Sequence, residues 1–416
     1  MYIKNVTLEN IQSIHHFSLE FPQYAGWHVI IGDNGTGKTG ILRAISVCLC
    51  GPGRFKSFLY NEKRFLRLGQ TKGSIQIDLI PSTEEAQKAN IPPKQPQTLE
   101  LTFSSEAGEV FFSGTKGEQS RLWRGTYEWF SASFGPFRRL TGGNSQYNKL
   151  FDVDHRVAAH ISLFESEVAY VMVDEWLSKL QFRKLEKQKD GDFIDRLQNF
   201  INQDSLLPNG FKLSEISSEG VFFTSPQGDK VPIDWLSEGY RSVLSLMLEL
   251  IRQMTIFFPE KKTEDFFEKT SDGNLVISLE GVVLIDEVDA HLHPTWQTRI
   301  GYWLIKYFPK IQFIVTTHSP LICRASEFGS IWRIAASESQ NISGQVEGTE
   351  FQRLVYGNIL DAYGTEVFGE NITSSFKSTQ MREKLADLNK KSFRGSLSKQ
   401  ELTELEMLRK ILPTGV

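Results

Sequence analysis

Cysteine is scarce: only Cys48, Cys50 and Cys323 occur in 416 residues, too few and too scattered for a disulfide framework. Cys48-Leu49-Cys50 has no second pair to complete a zinc site, so the three read as reduced, buried thiols. Nowhere do ~18 apolar residues follow one another, which excludes a membrane-spanning helix. The opening MYIKNVTLEN has neither the basic start nor the apolar stretch of a secretory leader, so a cytoplasmic protein is expected. An excess of one charge is missing too: 46 Lys and Arg face 50 Asp and Glu, for a net charge of −4. The chain is therefore no polycation that coats nucleic acid, and any contact with DNA or RNA needs a local basic patch. Repeats and low-complexity tracts are absent. What remains is globular in composition, 40% hydrophobic and 23% charged, and long enough for one large core or two ordinary domains.

Residues 1–31 alternate apolar and polar positions (Ile3, Val6, Leu8; Phe17, Leu19, Phe21) and end in Val29-Ile30-Ile31, a pattern of short β-strands. A glycine-rich turn follows, then helical spacing through Ile41, Leu42, Ile45 and Leu49. Ile75, Ile77 and Leu79 mark another strand, and Ser82–Thr98 is a polar, proline-broken loop. From about 118 to 205 the pattern turns helical and aromatic, with Trp123, Trp129, Phe130 and Trp176. The strongest later strands are Val282–Ile285 and Phe313–Thr316. Residues 371–416 differ in character, holding nine Lys and Arg against five Asp and Glu. Met381, Leu385 and Leu388 share one helical face there, as do Leu402, Leu405 and Leu408, and Ser398 with Glu401 forms a capping box.

Gly32-Asp33-Asn34-Gly35-Thr36-Gly37-Lys38-Thr39 fits the phosphate-loop pattern at every fixed position, after a predicted strand and before a predicted helix. Its glycines let backbone N–H groups turn inward around phosphate oxygens, and the positive end of the following helix adds to the attraction. Asn34 through Gly40 are thus candidate ATP contacts; Lys38 reaches the β- and γ-phosphates and the Thr39 hydroxyl coordinates Mg²⁺. Val282–Ile285 ends in Asp286-Glu287, two carboxylates that a plain core strand does not need. Asp286 is the candidate for the Mg²⁺ shell and Glu287 for the general base that polarises water. Leu236-Ser237-Glu238-Gly239 is a nondescript turn in isolation, but it stands between these two motifs and ahead of a helical run. Its helix start supplies N–H groups for an anion. Thr316-Thr317-His318-Ser319-Pro320 follows another apolar strand, with His318 a candidate γ-phosphate contact.

The four motifs in this order resemble the heads of ATP-binding-cassette (ABC) ATPases of the chromosome-maintenance and break-repair kind. The run Asp286-Glu287-Val288-Asp289-Ala290-His291-Leu292-His293-Pro294 is similar to the overcoming-lysogenization-defect (OLD) ATPases and to ATPase subunits of Septu- and retron-type antiphage systems, as are Gly135–Arg139 and Glu9–Ile14. The resemblance covers about residues 1–340. It implies an α/β fold, a P-loop head with a mixed sheet and a helical insertion; the helical tail is read from its own pattern and is not matched to the family. The corresponding division is 1–83 for the first part of the head, 84–230 for a β-hairpin and helical insertion, 231–340 for the second part, and 341–416 for a tail that binds a partner or oligomerises. It implies ATP and Mg²⁺ as ligands, and a homodimer or higher oligomer in which Ser237, Glu238 and Gly239 touch the partner's nucleotide. Asp289 becomes the aspartate that communicates between the two sites. Gln70 and Gln76 are the two candidates for the Mg²⁺-contacting glutamine. His291 and His293 are either a metal pair or a structural turn, and Arg138 and Arg139 either surface charges or nucleotide or partner contacts. Gln12 departs from the basic residue of many relatives. The insert is too short and aromatic for a long coiled-coil arm, and no Asp-x-Asp pair follows His318, so no fused nuclease is expected.

The functional expectation is an ATPase that clamps two heads around ATP and controls a separately encoded effector, such as a nuclease, in antiphage defence. The tail is either its docking surface or a hairpin packed on its own head. The alternative is a DNA-repair clamp acting directly on DNA, which needs a positive stripe and salt-sensitive binding. A transporter motor is disfavoured by the acidic HLHP run.

Overall fold

The computed structural model describes residues 1–55, 65–81, 95–106, 109–115, 122–123, 129–137, 154–165, 172–188, 191–203, 207, 210–217, 220–335, 343–358, 376–393 and 398–411. From the N-terminus the chain forms β1 (Tyr2–Ile11), β2 (Ile14–Glu20), β3 (Gly26–Gly32) and helix α1 (Lys38–Cys50). Then come β4 (Lys72–Ile80), β5 (Gln97–Glu106), β6 (Glu109–Gly114) and β7 (Phe130–Phe134). Helices α2 (His155–His160), α3 (Met172–Leu185) and α4 (Phe193–Ile201) lead to a small antiparallel sheet of β8 (Lys212–Ser217), β9 (Gly220–Thr224) and β10 (Lys230–Pro232). Helix α5 (Glu238–Phe257) is followed by the short ladder β11 (Glu268–Lys269) and β12 (Leu275–Val276), and then by β13 (Gly281–Ile285). Helix α6 (Ile300–Tyr307), β14 (Ile311–Thr317), β15 (Gly329–Ile334), β16 (Gly344–Gln345) and α7 (Gly348–Tyr356) follow.

Two sheets carry the site. One is antiparallel, in the order β2-β1-β4-β5-β6, and its alternating strands bury Ile3, Val6 and Leu8 on one face. The other, β16-β15-β3-β14-β13-β7, is parallel except for β16. Its central strands read as unbroken apolar runs because they are covered on both faces, every residue of β13 and β14 being buried. Helix α1 lies in the core shared by both sheets, packing Ile41, Leu42, Ile45 and Leu49 with Val6, Leu8, Ile75 and Leu284. The expected α/β head with a mixed sheet is present.

Three sequence expectations change. Phe130 belongs not to a helix but to β7, whose five residues are all buried beside β13. Ser131 and Ser133 break the apolar run and disguise it; their hydroxyls are consumed by His160, at 2.9 Å to Nε2 and 3.1 Å to the carbonyl oxygen. The first compact unit also runs to Tyr356 rather than ending near 340, since β16 pairs with β15 and carries the chain into α7.

The second unit spans Gly357–Val416. Its described part is a hairpin of α8 (Phe376–Phe393) and α9 (Lys399–Ile411), sealed by Leu385, Leu388, Leu405 and Leu408 with Met381 against them. The expected capping box is formed: the Glu401 N–H donates to Ser398 Oγ at 3.2 Å, and the Ser398 N–H donates to Glu401 Oε2 at 2.9 Å. Leu402, expected on the apolar face, is half exposed instead and lies outside the seam residues.

Candidate functional site

The phosphate loop occupies the turn from β3 into α1. Gly35 and Gly37 have φ of +80° and +103°, which only glycine adopts without strain. At Gly37 a Cβ would also lie 2.7 Å from Ser13 Oγ in the β1–β2 turn. Thr36 Oγ1 donates to the Asp33 carbonyl at 2.9 Å and closes the loop. The buried Lys38 folds back over it, donating Nζ–H to the carbonyls of Gly32 at 2.7 Å and Asp33 at 2.8 Å. Burial lowers the Lys38 pKa, and Asp286, Glu287, Asp33 and Asp289 pull the other way. No side chain caps α1, so its first amides are left for an anion.

β13 delivers Asp286 and Glu287 to the same place, and β14 holds them there. Thr39 Oγ1 donates to Asp286 Oδ2 at 2.8 Å. Thr316 Oγ1 donates to Asp286 Oδ1 at 2.5 Å and accepts the Glu287 N–H at 2.8 Å. One residue on, the Thr317 hydroxyl donates to Asp289 Oδ1 and accepts the Ser319 N–H. Glu287 itself sits at φ +44°, a left-handed backbone rare for a non-glycine residue. A cavity of about 190 Å³ results, lined by Asn34, Gly35, Gly37, Lys38 and Thr39 on one side and by Asp286, Glu287 and His318 on the other. A cation, glycine-opened amides, a hydroxyl and two carboxylates are the donor set that a magnesium-bound triphosphate requires, so the residues present fit that ligand.

Other sequence candidates lie outside the lining of this cavity. Ser237 caps α5 in an extended conformation without a capping hydrogen bond from its side chain. Glu238 Oε1 stands 3.7 Å from His291 Nδ1, and a Cβ on Gly239 would lie 3.2 Å from the His291 carbonyl. The Leu236–Gly239 turn therefore packs on the segment that follows the acidic strand. Asp289 and Thr36 stabilise the loops behind the cavity, while Gly40 leaves room for Gln12, whose Oε1 would be 2.6 Å from a Cβ there. Gln70 sits in an exposed turn, its N–H bonded to the Arg67 carbonyl, and Gln76 lies exposed on β4 opposite Thr7. Neither glutamine reaches the cavity. His293 Nδ1 accepts the Thr295 N–H at the start of the helix Pro294–Gln297, and no group of three or more metal-binding side chains occurs among the described residues. His293 thus caps the start of that helix, a structural role. Arg138 and Arg139 lie outside the described residues.

Sequence reasoning missed the role of the β14 hydroxyls. It also missed Gln297, which accepts from Ser319 Oγ at 2.7 Å and donates to the Leu292 carbonyl at 2.9 Å. The signal was the cluster of hydroxyl side chains around His318. Nothing local showed that Thr316 and Thr317 face the acidic run thirty residues upstream.

A glycine loop between a parallel strand and a helix, faced by an acidic strand end in the same sheet, with an LSxG-type turn between the two in the chain, defines an ABC-type P-loop ATPase head. Residues 28–324 match one protein family, and the chain belongs to it: the family described as "AAA domain, putative AbiEii toxin, Type IV TA system". Among individual proteins, the chain is 26% identical to the Septu protein PtuA of Bacillus mycoides (strain KBAB4) over 347 residues, 82% of this chain and 41% of that protein. It is 32% identical to the Retron Ec83 probable ATPase of Escherichia coli over 153 residues, 33% of this chain and 26% of that one. It spans less than half the length of either relative. Among solved structures it is similar to the SMC head domain from Thermotoga maritima, with 15% identity, a TM-score of 0.42, and coverage of 84% of this chain and 99% of that one. These relatives are of the kinds that the acidic HLHP run suggested.

Proposed function

We propose that this protein binds Mg-ATP in the Lys38 cavity, hydrolyses it between two heads paired face to face, and thereby controls a separately encoded antiphage effector such as a nuclease. The observation that carries the reading is the convergence of Lys38, Thr39, Asp286, Glu287 and His318 on one small cavity, while Ser237 stays outside its lining. Lys38 and the loop amides hold the phosphates. Thr39 and Asp286 hold Mg²⁺, which neutralises phosphate charge when bound. Glu287 takes the proton of the attacking water, aimed by a backbone that Thr316 fixes, and His318 donates to the terminal phosphate. A second copy supplies the amides behind its own Ser237, which completes the enclosure. The names of the relatives, a Septu protein and a retron ATPase, support the defence setting.

Glu287→Gln tests the chemistry. Turnover should fall by about 10²–10⁴-fold, the usual worth of a general base, while Mg-ATP still binds and light scattering shows a trapped dimer. Unchanged hydrolysis would overturn the assignment of the base, and a strictly monomeric protein would overturn the paired heads. Co-purification with the product of the adjacent gene, and phage plating with and without that product, test the effector.

A further inference from the structure

Two large apolar side chains stand almost bare in solvent, and each flanks one half of the divided site. Leu68 is 98% exposed, in the turn Arg67–Gln70. That turn is tied to the phosphate loop through the β1–β2 turn: the Arg67 N–H donates to the Asn10 carbonyl, its guanidinium donates to the Ser13 carbonyl, and Ser13 Oγ abuts Gly37. Trp235 is 78% exposed, two residues ahead of Ser237. Its neighbours Asp234 and Glu238 are exposed acids, whereas Leu68 stands between Arg67 and the exposed Lys72. Bare indoles are uncommon on protein surfaces and are enriched at the buried centres of interfaces.

We propose that Trp235 of one copy packs against Leu68 of a second copy, with the acidic pair Asp234 and Glu238 set against Arg67 and Lys72. This rests on the reading that two heads pair across the nucleotide. A face-to-face arrangement brings the phosphate-loop side of each head to the Ser237 side of the other. One junction then implies its symmetric twin, as every two-fold interface requires. The occupant is a second copy of this chain because the two patches complement each other in both apolar character and charge. Burying the indole removes a liability that each isolated head displays. The junction also lies beside the phosphate loop at one end and the Ser237 turn at the other, so it fixes the register in which those two elements meet.

The experiment uses full-length Glu287→Gln protein with Mg-ATP, and light scattering reports the dimer. Leu68→Cys and Trp235→Cys are made on separate, differently tagged chains, mixed, and treated with a short bis-maleimide linker. The native cysteines are all buried and give the background with the unsubstituted chain. A cross-linked heterodimer that forms with Mg-ATP and not without it is expected. In parallel, Trp235→Ala should raise the dimer dissociation constant at least about tenfold for each of the two junctions, and Leu68→Asp should do the same. A dimer that forms normally but gives no cross-link, and is not weakened by Trp235→Ala, overturns the junction and leaves the paired heads standing. If no dimer forms even in the Glu287→Gln protein, the paired heads fail and the junction fails with them.

Discussion

Replacing Thr316 by valine removes one hydroxyl and almost no volume, at a residue with no exposed surface. Two hydrogen bonds disappear, one donated to the Asp286 carboxylate and one accepted from the Glu287 N–H. The first involves a charged group and contributes about 1.5–3 kcal/mol, and the second about 1 kcal/mol plus the cost of a stranded amide. Asp286 keeps the Thr39 hydroxyl, which limits the loss, so a drop in unfolding free energy of about 2–4 kcal/mol is expected from urea denaturation. The effect on turnover should be larger than the effect on binding. Lys38 and the glycine loop are untouched, while both carboxylates lose the strut that aims them, and a displacement of about 1 Å costs on the order of 10²-fold in rate. Steady-state hydrolysis and equilibrium nucleotide titration, run side by side, separate the two effects. Thr316→Ser keeps the hydroxyl and should restore most of the rate. The reasoning is refuted if Thr316→Val hydrolyses ATP at the wild-type rate, or if its turnover and its nucleotide affinity fall in equal measure.

Lys38→Met should abolish nucleotide binding and yet raise the melting temperature of the nucleotide-free protein, because a buried ammonium that is pushed to a lower pKa opposes folding at neutral pH; a lower melting temperature contradicts this. His160 lies buried between Ser46 and Ser131, and burial together with the Arg156 charge holds its pKa down near 3. Only the unfolded chain takes up that proton, so the contribution is complete above the usual histidine value of about 6.5 and declines as pH falls toward 3. His160→Gln should therefore flatten the loss of stability between about pH 6 and 4.5 by close to one proton, as measured by urea titration at each pH; the similarly buried His28, at about 4, adds to the slope in the same direction. Leu405→Ala removes one of four leucines in the α8–α9 seam, which typically costs about 2–5 kcal/mol. Limited proteolysis should then open the hairpin while ATP turnover persists, and a matching loss of turnover would show that the two units depend on each other.

Much of the site was legible because phosphate chemistry demands particular residue types at fixed local spacing. Gly35, Gly37, Lys38 and Thr39 are close neighbours, and Asp286-Glu287 ends a run that can only be a buried strand. Contacts between distant parts were not legible. Thr316 owes its role to β14 lying beside β13, and a single strand carries no record of its neighbour in a sheet. The strand Phe130–Phe134 was hidden for a similar reason: its serines look like a polar face until His160 is seen engaging both hydroxyls. Gln70 lies outside the lining of the cavity, and its nearness to β4 in the chain said nothing about which of two sheets that strand would join. The tail was read well where a local rule applied, at Ser398 and Glu401, and less well at Leu402, which lies outside the seam that the two helices close.

The helix that begins behind Ser237 receives no capping bond from the serine side chain. The lone molecule forgoes about 1 kcal/mol of local stability that a side-chain cap would add. In the proposed pair of heads, the partner's nucleotide would finish that turn of helix. The firmness of this end of α5, and of the His291 segment leaning on it, would then track what a neighbouring molecule holds, and the fold would carry news of a site it does not itself contain.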